Sequence, residues 1–183
     1  MIYPFPLQLV GVVVGLALIL AHAIALVAPG PTTGFLRSFP RSRLWGTILL
    51  AIAAVWAFWL VSTMDLGEFT PLRKFLIIGV PVGTVLTWLY VDEFLAVRSL
   101  GILALLAADP LIEAAFMRPE TSRLILVTLA YAWIFAGLFL VGMPYLLRDI
   151  IAWLVASQKR VRTAALAGVA YGAATLLCAV LLW

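Results

Sequence analysis

The stretch FLAVRSLGILALLAADPLIEAAFMRPETSR, Phe94 to Arg123, is apolar enough to sit in lipid, yet it carries Asp109, Pro110 and Glu113 in its second half. Arg98 and Arg118 bracket the apolar part. Whether this stretch crosses a bilayer or dips in and returns decides the number of spans. The Asp-Pro pair has a plain local meaning. A residue before proline avoids the helical region, Asp is a good N-cap, and Pro suits the first helical position. The pair therefore predicts a helix broken at Asp109-Pro110 that restarts at Pro110.

The rest of the chain names the solvent. Of 183 residues, 66% are hydrophobic and 11% charged. A soluble domain averages about 45–50% apolar and about 25% charged. So short a chain cannot hide that much apolar surface in one core. Several runs reach the roughly 17–25 apolar residues that a membrane-crossing helix needs. They are continuous, whereas barrel strands alternate polar and apolar residues. The expected fold class is all-α, a polytopic integral membrane protein with about six transmembrane helices in one domain.

Working outward from the segment 99–117, read as broken or re-entrant, the other spans fall at 8–28, 44–63, 75–91, 124–147 and 164–183. An interfacial segment is expected at 149–158. Pro29-Gly30-Pro31 ends the first span, FLRSFPRSR and MDLGEFTPLRK read as loops, and Pro81 predicts a kink in the third span. The first apolar run lacks a basic leader and is too long for a signal peptide, so it reads as a retained span.

Basic residues discriminate five spans from six. If 99–117 crosses, one side holds Arg37, Arg41, Arg43, Arg98, Arg148, Lys159, Arg160 and Arg162, and the other holds Arg73, Lys74, Arg118 and Arg123. If it re-enters, the twelve divide evenly. The positive-inside rule prefers the asymmetric division, hence six spans with both termini non-cytoplasmic. Ten Arg against two Lys in an Ala- and Leu-rich chain suggest a bacterial cytoplasmic membrane.

Asp109 and Glu113 stand four apart, on one helical face. In a continuous helix Asp109 lies roughly 16 Å beyond Arg98. An ionised acid near mid-membrane costs about 2.5–3.5 kcal/mol, so such groups often serve ion or proton paths. The competing reading is a shallow segment, with Asp109 a cap and Glu113 reaching the headgroups. Arg98 completes a possible ion or proton site if a neighbouring element brings it to the two acids. Otherwise Asp92, Glu93 and Arg98 mark an interface. His22, the single histidine, could ligate haem or chlorophyll, against the plainer role of bonding to a neighbouring helix. Three pairs of glycines four apart, Gly11/Gly15, Gly79/Gly83 and Gly168/Gly172, suit close helix packing. Arg37, Arg41, Arg43, Lys159, Arg160 and Arg162 fit topology signals and anionic headgroups. The seven Trp fall mostly near span ends, as interfacial belts require.

No zinc-protease, paired-cysteine, Walker, nucleophile-elbow or dinucleotide motif is present, and no dense carboxylate cluster. The sequence thus points away from an enzyme, a metal site or a bound cofactor other than lipid, and away from nucleic acid. Two functions remain. One is a non-catalytic membrane subunit that packs with other integral subunits, or with itself, and stabilises a larger complex. The other is a small transporter or channel for a cation, proton or small solute, using Asp109 and Glu113 at a broken helix.

Overall fold

A computed structural model describes residues 2–91 and 93–183. Asp92 therefore lies outside the described residues. Among these, eight α-helices form and no strand. They are α1 (Leu7–Val27), α2 (Pro29–Ser38), α3 (Arg43–Thr63), α4 (Arg73–Tyr90), α5 (Leu95–Ala115), α6 (Leu124–Gly142), α7 (Tyr145–Val155) and α8 (Gln158–Leu181). Six segments, containing α1, α3, α4, α5, α6 and α8, are long and apolar enough to cross a membrane.

The decisive stretch is one uninterrupted helix. α5 runs from Leu95 to Ala115 with Pro110 inside it. The break at Asp109-Pro110 does not occur, and neither does a re-entrant turn. Twenty-one residues give a helix of about 31 Å, close to the hydrocarbon thickness. Proline removes one backbone bond, the one to the Leu106 carbonyl, and its ring strains the turn before it. Packing overrides that local cost. Ala108 and Leu111 on either side of the proline are buried, as are Ala114 and Ala115 a turn later. Asp109 is consequently a mid-helix residue and not a cap, and its side chain is exposed.

Three other boundaries move for local reasons. The span placed at 124–147 ends at Gly142, because Met143 leaves the helical region (φ −129°, ψ 65°) and Pro144 opens a new helix. The interfacial segment is thus Tyr145–Val155, and the QKRVR cluster belongs to the first turns of α8. The stretch after α1, read as a loop, is mostly the short helix α2. Pro29 sits at its first position, where a missing N–H costs nothing.

α1 packs antiparallel along α8, and α5 antiparallel along α6. Each pair crosses at two facing glycines. A methyl added to Gly15 would lie 2.9 Å from the Gly172 carbonyl oxygen, and one added to Gly101 would lie 2.9 Å from that of Gly137. Side-chain-free backbones can approach that closely, and any larger residue would force them apart. α3 runs parallel to α5, with Gly46 against Leu95 and Ala96 and with Ser99 donating to the Gly46 carbonyl. Leu7, Val10 and Val14 of α1 meet Ala108, Leu111, Leu126 and Ala130 in the shared core. α4 is peripheral. Its main packing among the long helices is on α3, and it buries no residue.

Candidate functional site

Glu113 sits near the C-terminal end of α5, and its carboxylate holds the N-terminal segment. It accepts the Ile2 N–H at 2.9 and 3.0 Å and the Tyr3 N–H at 2.7 Å. A charged acceptor makes such bonds roughly twice as strong as neutral ones. The clasp seats Tyr3, which is only 6% exposed. Its ring lies 5.5 Å from that of Trp59 and 6.0 Å from that of Phe5. Its hydroxyl accepts Trp56 Nε1–H at 2.6 Å. Burial raises the phenol pKa above its ordinary value. The Trp56 bond opposes that rise, and the charges of Asp109 and Glu113 add to it.

Glu113 is therefore spoken for by backbone amides. Asp109, one turn deeper in α5, makes no hydrogen bond or ion pair among the described residues. Arg98 does not join them. It lies at the other end of α5, fifteen residues from Glu113, or about 22 Å along the helix. There it donates from Nη1 to the Val141 carbonyl at 2.8 Å, closing the C-terminal end of α6. A cation at that end also complements the helix dipole. So the three residues expected at one ion or proton site divide into a clasp, an open acid and a distant helix cap.

Glu113 and Arg118 line a mixed pocket of about 370 Å³ with Tyr3 and Phe5, and the space further along α1 is apolar. A groove of about 600 Å³ runs along α1 past Phe5, Val13, Ala17, Trp56, Pro110 and Trp133. Phe5 of the clasped segment is among its lining residues. No group of three or more His, Cys, Asp or Glu residues able to hold a metal occurs among the described residues.

His22 packs against α8. Its Nδ1–H donates to the Leu18 carbonyl at 2.8 Å. Its ring lies so near Gly168 that a methyl there would collide with it. Of the three glycine pairs, Gly11/Gly15 and Gly168/Gly172 meet facing side chains or backbone, whereas Gly79 and Gly83 meet nothing within 4 Å. The expected packing role of that third pair is thus not fulfilled inside the chain. Gly101 with Gly137, a true crossing, carries no four-residue spacing and left no sequence signal. Tyr3 was missed as well, because nothing in MIYPFP announces a partner more than a hundred residues away. At the same end, the Trp183 indole N–H donates to Ser122 Oγ at 2.7 Å and its ring covers Gly11.

The fold and this site define a multi-pass α-helical membrane protein. The chain matches no known protein family, no curated protein and no solved structure.

Proposed function

We propose that this protein is a non-catalytic integral membrane subunit that packs with other membrane subunits, or with further copies of itself, and stabilises the assembly. The observation that carries the reading is α4. The same glycine spacing that is filled on α1 and α8 is open on α4, and α4 buries nothing within the chain. Lipid tails supply no hydrophobic drive between helices, so small residues that admit a facing backbone are the means by which such helices associate. In this reading the Gly79/Gly83 face meets a helix outside the chain. The test is extraction in mild detergent with mass measurement of the native species. A complex heavier than one chain, lost in Gly79→Leu/Gly83→Leu, supports the reading. A wild-type species at 19.9 kDa with no stoichiometric partner contradicts it.

The same proposal puts the protein in a bacterial cytoplasmic membrane. The end of the bundle bearing Arg37, Arg41, Arg43, Arg98, Arg148, Lys159, Arg160 and Arg162 faces the cytoplasm, as the positive-inside rule requires, with both termini outside. Terminal reporter fusions test it.

One observation favours a second reading. Asp109 is an exposed acid without a hydrogen-bond or ion-pair partner among the described residues, on a span-length helix, the kind of group that serves proton or cation paths. The transport reading predicts a pH- or cation-dependent flux in proteoliposomes that Asp109→Asn abolishes. Absence of flux in the wild type removes it.

A further inference from the structure

We propose that the pocket between α2 and α7 binds the phosphodiester headgroup of an anionic phospholipid. The pocket holds about 350 Å³, within the range of small-molecule sites. Arg37 of α2 and Arg148 of α7 stand at it, and Pro40, Ile151, Ala152 and Val155 supply apolar walls. Guanidinium groups above an apolar wall match a molecule with a phosphate at one end and methylenes at the other.

The location fits that ligand. Both short helices lie at the end of the bundle where the eight basic residues collect. α7 turns Ile150 (57% exposed) and Trp153 (60% exposed) outward while burying Ile151, the pattern of a helix lying at a lipid interface. Among the described residues the only acids at this end are Glu93 and Asp149. Asp149 binds Arg148 at 2.8 Å and tempers its charge. Arg37 has no hydrogen bond, ion pair or ring contact among the described residues. Arg148 also lies over the Phe94 ring, as Arg43 does over Trp88, while Arg160 stacks over Trp153 and bonds its carbonyl. Arg37 and Arg148 are the pair that shares a pocket, and Arg148 had been counted in the sequence only as a topology signal.

This inference does not rest on the assembly reading. The test is native mass spectrometry of the full chain in mild detergent, titrated separately with dioleoylphosphatidylglycerol and dioleoylphosphatidylcholine. The site predicts preferential retention of the anionic lipid, lowered roughly fivefold by Arg37→Ala and at least tenfold by Arg37→Ala/Arg148→Ala. Arg37→Ala breaks no bond among the described residues, so it keeps the fold, and a thermal melt verifies that. Arg118→Ala, at the opposite end, leaves retention unchanged. Equal retention of the two lipids, or unchanged retention in both pocket variants, overturns the proposal. Displacement of the lipid by millimolar inorganic phosphate overturns it too, since the pocket would then read a free anion and not a lipid.

Discussion

α4 and α5 look alike as text. Both are apolar, both are about one bilayer long, and both carry a proline within the helix. In the fold they are opposites. α5 buries nine residues and is flanked by α3, α6 and part of α1, whereas α4 buries none and leans mainly on α3. Hydropathy places a helix in lipid, and it does not rank helices by centrality. What ranks them is whether another backbone can enter the gap that a small residue leaves. At Gly101 one does, and at Gly79 none within the chain does.

Filling each gap breaks the comparison most sharply. Gly137→Leu should cost about 1–3 kcal/mol or more, because the side chain would meet the Gly101 carbonyl and Leu105 at 2.8 Å. The check is the thermal midpoint of the detergent-solubilised chain. Measured on the dissociated single chain, Gly79→Leu should leave the stability within about 0.5 kcal/mol of wild type, as surface changes do. Equal losses at the two positions would show that α4 is packed as α5 is.

The next effect concerns the far end of α5. Glu113→Ala removes a charged acceptor of the Ile2 and Tyr3 amides, and bonds of that kind contribute about 1.5–3 kcal/mol. Hydrogen exchange should accelerate across residues 2–6 and leave α6 unchanged. Protection that survives the substitution would mean that the aromatic contacts of Tyr3 hold the segment unaided.

The smallest effect sharpens the role of the prolines. Neither breaks its helix, so Pro110→Ala and Pro81→Ala restore a backbone bond. They should be neutral to stabilising, by less than the roughly 3 kcal/mol that separates Pro from Ala in a helix interior. A large destabilisation by Pro110→Ala would show that the turn around Leu106 needs the proline.

Much of the fold was legible because lipid leaves few alternatives: six apolar runs and two ends separated by charge. Asp109-Pro110 misled because dipeptide preferences are weaker than burial on both sides of the pair. α2 was hidden by prolines that read as a stop but also suit a start. The candidate site was legible only in part. Asp109 and Glu113 stood out by their cost in lipid, but what answers Glu113 is backbone N–H, which no side-chain pattern encodes. Arg98 was drawn toward the acids by charge alone, and its actual acceptor is again a backbone carbonyl.

The most direct test of the account is the mass of the species extracted in mild detergent, compared with that of Gly79→Leu/Gly83→Leu. The account predicts a defined assembly heavier than 19.9 kDa for the wild type, falling to a folded single chain in the variant. A wild type that is already a folded single chain, or an assembly that the variant leaves intact, would contradict it.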